Sequence, residues 1–452
     1  MAERPLRILQ VSTSDIEGGA EKVAWNLFRT YRERGLGSVL AVGRKHSDDP
    51  DVLLMPLVQN TGHLSMWARP WLAFADMVSP SVGRVRGAEK LRHWLRFIGH
   101  PGSLLDIQRG HEDFYFPGTW HLLGLPDERP DIIHCHNLHG GYFDLRALPW
   151  LSQKTATMLT MHDAWLLSGH CAHSFECERW KSGCGECPDL TIYPRILRDA
   201  TAHNWKRKQE IFEESRLYVA TPSRWLLAKA EQSLVAPAIV EARVIPNGVD
   251  LSVFHPADRQ AVRAMLGIPQ HAKVLLFTAY GIRQNTWKDW ETLRLAIGLV
   301  DDRLRGKDVL FIALGENAPA ERIGRALILS IPYQNDPRDV ARYYQAADVY
   351  VHAARVDTFP TTVVEALACG TPVVATAVGG IPEQVEDGVT GILVPPRDVE
   401  AMAEATIRLL SDDPMRMHLG RNAAEDAERR FGLNRQAEEY LDWYEEIAGR
   451  VS

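Results

Sequence analysis

The sequence predicts an α/β protein of two doubly wound domains, each a mainly parallel sheet, facing across a cleft. Three observations carry this. The first is the opening unit, in which Ile8-Leu9-Gln10-Val11 reads as a strand and Gly18-Gly19 as a turn. A helical face follows, Ala20, Val23, Ala24, Leu27, Phe28 and Tyr31, with apolar residues at i, i+3, i+4 and i+7. The second is a restart at Val274-Leu275-Leu276-Phe277-Thr278, which begins another strand and helix series after the turn-rich segment 243–250. The third is length: 452 residues exceed what one hydrophobic core usually serves.

The elements follow in order. Val39-Leu40-Ala41-Val42 reads as the second strand. Segments 131–136 and 157–162 read as later strands that end in His136 and His162. Strand ends are where ligands sit in such sheets, so both histidines are well placed. Between about 45 and 130 little reads as strand, and helices are expected there because a bare loop of that length is uncommon. In the second series, 309–313, 349–352 and 372–376 read as strands, and 291–300 and 340–347 as helices. The segment 434–449 reads as a polar helix with an aromatic stripe of Tyr440, Trp443 and Tyr444. The expected domains are 1–245, with inserts at about 45–130 and 168–190 and a returning C-terminal helix at 432–452, and 246–431.

Composition narrows the function. Apolar residues are 45% and charged residues 24%, which excludes a disordered, collagen-like or coiled-coil chain. With 51 Lys+Arg against 58 Asp+Glu the net charge is -7, and no nucleic-acid partner is expected. No apolar run approaches the roughly 18 residues of a membrane span. The N-terminal apolar stretch is too short for a signal peptide, so the expected location is cytoplasmic.

The richest chemistry lies at 357–376. Asp357 and Glu365 flank a loop-to-helix junction, and a helix starting at Thr361 would present free amides and the positive end of its dipole. That end can hold a diphosphate without metal, and Glu365 could accept hydrogen bonds from sugar hydroxyls. Alternatively Asp357 is a cap and Glu365 a buried ion-pair member. Arg283 and Lys288, on the loop after the strand 274–278, suit phosphate neutralisation, or are simply solvated. Gly18 and Gly19 would let backbone amides approach a ligand at a helix start.

The run from Val349 to Leu393 resembles the retaining glycosyltransferases of family 4, which have the GT-B fold of two Rossmann-like domains. Asp357-x7-Glu365 matches their E-x7-E signature, followed by Glu365-Ala-Leu-Ala-Cys-Gly-Thr-Pro-Val-Val-Ala-Thr376 and Asp387-Gly-Val-Thr-Gly391. Gly18-Gly19-Ala20-Glu21, Pro246-Asn247-Gly248-Val249-Asp250 and Arg283-x4-Lys288 extend the likeness over most of the chain. The resemblance implies Glu365 at the nucleotide ribose, Asp357 at the transferred sugar, and amides of Thr361 and Thr362 at the diphosphate. It implies Arg283, Lys288, Gly18 and Gly19 as further donor-binding residues, and His162 near the reacting centre. Position 357 departs from the pattern, since aspartate is one methylene shorter than the usual glutamate, and Pro360 removes an amide donor. The expected reaction moves a sugar from a nucleotide-diphosphate sugar to a glycan or lipid-linked acceptor in polysaccharide or lipopolysaccharide synthesis, with no cofactor for catalysis. An epimerase or phosphorylase on the same fold, and a non-catalytic nucleotide-sugar-binding scaffold, are the alternatives.

Two further features stand apart. Cys171, Cys177, Cys184 and Cys187 fall in one loop, and Cys184-Gly-Glu-Cys187 has the tight turn of a zinc knuckle. Structural zinc, two disulfides and free thiols are the readings. His134, His136 and His139 suit an acceptor pocket or structural polar contacts. The segment 84–98 sets the stripe Leu91, Trp94, Leu95 and Ile98 among Arg84, Arg86, Lys90, Arg92 and Arg96. Such a helix can rest on the anionic inner face of the cytoplasmic membrane or pack on its own domain. Asp49-Pro50-Asp51 reads as a polar loop.

Overall fold

The computed structural model describes residues 4–16, 18–57, 65–82 and 85–451. Arg84 lies outside them. Contacts divide the chain into two units, 1–245 with 437–452, and 246–436.

Among the described residues the first unit is built on seven strands: β1 (Arg7–Ser14), β2 (Gly37–Arg44), β3 (Val52–Leu54), β4 (Ile132–His136), β5 (Ala156–Thr160), β6 (Leu217–Thr221) and β7 (Ile239–Val244). They lie in the order β3-β2-β1-β4-β5-β6-β7, parallel throughout. Its helices are α1 (Gly19–Glu33), α2 (Ala68–Val78), α3 (Ala88–Gly99), α4 (Pro101–Arg109), α5 (Leu148–Lys154), α6 (Thr201–Glu213) and α7 (Arg224–Glu231). Burial on both faces explains the continuous apolar strands, in which Leu9 and Val11 have no exposed surface. The region 45–130 contains α2, α3 and α4 as expected, and also β3 at the sheet edge, too short for its alternation to be read. Strand β5 stops at Thr160, so His162 sits on the turn beyond the strand rather than ending it.

The second unit has β8 (Lys273–Thr278), β9 (Val309–Leu314), β10 (Glu321–Ile323), β11 (Ala326–Ile331), β12 (Val349–His352), β13 (Val373–Thr376) and β14 (Gly391–Val394). The order is β10-β11-β9-β8-β12-β13-β14, with only β10 antiparallel to its neighbour. Around it lie α8 (Arg259–Leu266), α9 (Trp290–Arg303), α10 (Pro337–Ala346), α11 (Thr361–Ala368), α12 (Ile381–Gln384), α13 (Val399–Ser411) and α14 (Asp413–Arg430). The topological reversal falls between β8 and β12, and the loops after these two strands carry the site described next.

The last helix, α15 (Leu433–Val451), is polar in composition but buries its stripe completely. Tyr440, Trp443, Tyr444 and Ile447 pack with Tyr31, Leu27 and Met158 of the first unit. This is why residues 437–452 belong to that unit.

Candidate functional site

In the second unit the loop after β8 is tied to the end of β12. Arg355 donates its amide to the Trp287 carbonyl at 2.8 Å, and Asp289 donates to Ala353 at 3.1 Å. This pairing delivers the Lys288 ammonium to Asp357 Oδ2 at 2.6 Å and to His352 Nε2 at 3.2 Å. An ammonium only donates, so His352 Nε2 accepts and the ring proton lies on Nδ1, 3.0 Å from the Tyr350 hydroxyl. Burial and the Lys288 charge hold His352 down at about 4. Burial would raise Asp357, but the Lys288 ammonium holds it well below the carboxylate range. The site is therefore a lysine–aspartate ion pair on a neutral histidine.

Helix α11 begins at Thr361, as expected, with Pro360 at its N-cap and no side chain capping its amides. The carbonyl of Asp357 accepts from Gly380 N at 3.1 Å. A Cβ on Gly379, whose φ is +58°, would fall 1.8 Å from that carbonyl oxygen, so only glycine permits the approach. Glu365 lies one turn into α11, 4% exposed, and accepts from the Tyr344 hydroxyl at 3.0 Å. Lys288, Asp357, Thr361, Thr362 and Glu365 thus share one end of the sheet. Arg283 is differently engaged: its guanidinium pairs with Glu321 at 3.0 Å and covers the Trp290 ring. As placed, its charge is spent on β10, and β10 was not legible as a strand.

In the first unit Gly18 caps α1 with φ +88°, and Glu21 folds back beneath it. His162 Nε2 stands 3.1 Å from His136 Nδ1, and His136 Nε2 is 2.7 Å from Gln10 Oε1. His139 Nε2 meets Asp163 Oδ2 at 2.7 Å. Burial would lower His139, yet the Asp163 charge and hydrogen bond raise it. As strand alternation requires, His134 and His136 share a face while Cys135 lies in the opposite core. Tyr344, His352, Gln10 and Asp163, the partner of His139, were missed as site residues. Alternation placing Tyr350 and His352 together beside the Lys288 loop was the available signal.

The four clustered cysteines all line one pocket, with His170 Nε2 against Cys187 Sγ at 3.4 Å and Gly169 N–H on Cys184 Sγ at 3.3 Å. None is disulfide-bonded. Among the described residues no group of three or more His, Cys, Asp or Glu stands close enough to hold a metal.

In α3, Leu91, Trp94 and Ile98 are exposed, but Leu95 packs toward α2. Arg96 is not a surface cation. It is buried, paired with Asp113 at 2.6 Å and flanked by the Phe97 and Phe116 rings. Asp49 and Asp51 both bridge to Arg32, consistent with a polar loop.

The chain matches the family model described as Glycosyltransferase Family 4 over residues 17–253, and that described as Glycosyl transferases group 1 over 293–426. It is 32% identical to a D-inositol 3-phosphate glycosyltransferase of Saccharomonospora viridis over 326 residues, covering 68% of this chain and 70% of that protein. The putative colanic acid biosynthesis glycosyl transferase WcaC of Escherichia coli (strain K12) is 28% identical over 55% of this chain and 60% of its own. Among solved structures, sucrose-phosphate synthase from Thermosynechococcus elongatus superposes with a TM-score of 0.63 at 20% identity, covering 98% of this chain and 100% of its own. Anabaena HepE, solved with UDP and glucose, gives 0.60 at 17%, covering 97% and 98%. The first of these family models spans more than half of the 452 residues, and the protein is accordingly a glycosyltransferase of family 4, with the GT-B fold.

Proposed function

We propose that the protein transfers a sugar from a nucleotide-diphosphate sugar to a hydroxyl of a glycan or lipid-linked glycan, with retention of anomeric configuration, in polysaccharide or lipopolysaccharide assembly. The observation that carries this is the Lys288–Asp357–His352 cluster beside the uncapped start of α11, with Glu365 buried one turn further in. Glu365, positioned by Tyr344, accepts from the ribose hydroxyls. Amides of Thr361 and Thr362, at the positive end of α11, meet the diphosphate. Lys288 then divides its donors between Asp357 and the leaving diphosphate, whose charge grows as the sugar departs. Arg283 joins it only by exchanging Glu321 for phosphate. Asp357 faces the transferred sugar; in the first unit His162 is read as a substrate-facing residue, and Gly18 and Gly19 as backbone-amide donors to the donor substrate. No metal enters the transfer step in this reading. The likeness to HepE, solved with UDP and glucose, favours a nucleotide donor, and the likeness to WcaC a polysaccharide product.

The test is Lys288→Ala. Transfer should fall by about two orders of magnitude or more while the circular dichroism spectrum is unchanged. Near-normal turnover would sink the phosphate assignment. A thermal-shift screen of nucleotides and nucleotide sugars should single out one base class by a rise of several degrees. Product anomers read by NMR decide retention.

Two accessory features belong to this reading. The thiols of Cys171, Cys177, Cys184 and Cys187 are proposed as structural zinc ligands that the ion would draw together, and metal analysis of purified protein should find one zinc per chain. The exposed face of α3, with Arg86 and Lys90 beside it, is proposed to rest on an anionic membrane. No helix among the described residues is long and apolar enough to cross one.

A further inference from the structure

We propose that His136 and Gln10 are positioning residues that fix the tautomer of His162, so that His162 meets a substrate hydroxyl as a hydrogen-bond acceptor. The inference rests on the reading that His162 faces substrate.

Gln10 on β1 and His134 on β4 are register partners, and His136 lies two residues further along the same face. Gln10 Oε1 is 2.7 Å from His136 Nε2, and a carboxamide oxygen only accepts. The other end of that amide, the Gln10 nitrogen, is buried without a hydrogen-bond partner. With the Gln10 oxygen as its partner, His136 Nε2 is the donor and carries a proton. Burial, with His134 and His162 nearby, keeps His136 neutral, so its Nδ1 holds a lone pair. That lone pair is 3.1 Å from His162 Nε2, which must donate to it. Burial holds His162 at about 4, so it too is neutral near pH 7. A neutral imidazole has one N–H. With that proton committed inward on Nε2, Nδ1 of the partly buried His162 is left as an acceptor.

The consequence is specific. Near neutral pH His162 neither protonates a leaving group nor donates to a carbonyl or ring oxygen. It accepts from an O–H, which orients a sugar or acceptor hydroxyl. The relay is anchored in the core by the C-terminal helix, because the Tyr444 hydroxyl lies 2.5 Å from His134 Nδ1.

Nitrogen NMR on the full protein labelled with 15N-histidine tests this without activity. His162→Gln identifies the His162 signals by their loss. The expected result is an Nε2–H, Nδ1-unprotonated ring that stays neutral down to about pH 5. An Nδ1–H ring, or an imidazolium at pH 6, overturns the proposal. Kinetics add the second arm. His136→Leu should lower kcat/KM at least tenfold and release the His162 tautomer. His136→Asn, whose amide oxygen can stand in for Nδ1, should restore most of both. Equal loss in the two variants overturns the positioning role. If His162→Ala turns over normally while the wild-type tautomer is as expected, the substrate-facing reading of His162 fails, and the acceptor role with it.

Discussion

At the scale of single residues, the contact between Lys288 and Asp357 at 2.6 Å makes the aspartate a structural partner as well as a candidate substrate ligand. Its shorter side chain suits a lysine this close. Asp357→Asn removes the charge that Lys288 balances, and transfer should fall about a hundredfold. Asp357→Glu keeps the charge and lengthens the reach, and should lose less than about tenfold. A larger loss in kcat/KM for the glutamate variant than for the asparagine variant would show that reach, not charge, decides. Gly379→Ala places a methyl against the Asp357 carbonyl at a left-handed φ. It should cost about 1–3 kcal/mol of stability, measured by denaturant unfolding, and displace Asp357 as well. The sequence made Asp357 and Lys288 visible as residues. It did not show that they touch, because that depends on the loop after β8 pairing with the end of β12.

At the scale of elements, the pair α2–α3 departs most from its sequence. The basic stripe expected around 84–98 is divided: Arg96 turns inward to Asp113, while Leu91, Trp94 and Ile98 turn out. Trp67, just before α2, is 59% exposed and donates its indole N–H to the Ile98 carbonyl at 2.8 Å, and Phe74 and Met77 of α2 are also exposed. Two tryptophans and several aliphatic groups thus lie uncovered on one helical pair. Vesicles containing about a third anionic lipid should sediment the protein, and Trp94→Ser with Trp67→Ser should abolish this without lowering its melting temperature. Binding unchanged in the double variant would exclude this face. Conversely, Asp113→Ala leaves Arg96 buried and unpaired, which should cost about 3–5 kcal/mol of stability. Helix α15 shows the same principle with the opposite sign. Its polar sequence hides a stripe whose Trp443 has no exposed surface, so Trp443→Ala should destabilise the first unit by about 3–5 kcal/mol.

At the scale of the whole molecule, the buried histidines set the acid response. His162 and His352 are held near 4, below an ordinary value of 6.5, and His134 and His136 lie well below it. In the folded state they stay neutral where the unfolded chain takes up protons. Between about pH 6.5 and 4 the unfolded state therefore binds more protons, and stability falls as pH falls. Asp357, depressed by Lys288, adds stability above the unfolded carboxylate range that is lost on further acidification. His139 acts oppositely: raised by Asp163, its contribution is full below 6.5 and fades as pH rises through its folded value. The expected unfolding free energy is smaller at pH 5 than at pH 7, with a slope reporting more than one proton. A flat profile over that range would mean these histidines are protonated in the folded state.

The sequence by itself determined the two series of strands and helices, the family signature and the start of α11, because periodicity, glycine turns and helix-start chemistry are local properties. It also determined that His134 and His136 share a face, since alternation along a strand is local too. The tertiary structure alone decided which charges meet. Lys288 reaches Asp357 through a loop pairing, Arg283 is taken by Glu321 of a three-residue strand, and Arg96 is buried against Asp113. The tautomer relay is of the same kind. Gln10, His136, His162 and Tyr444 come from four separate segments, and hydrogen bonds between distant segments leave no period in the sequence to read.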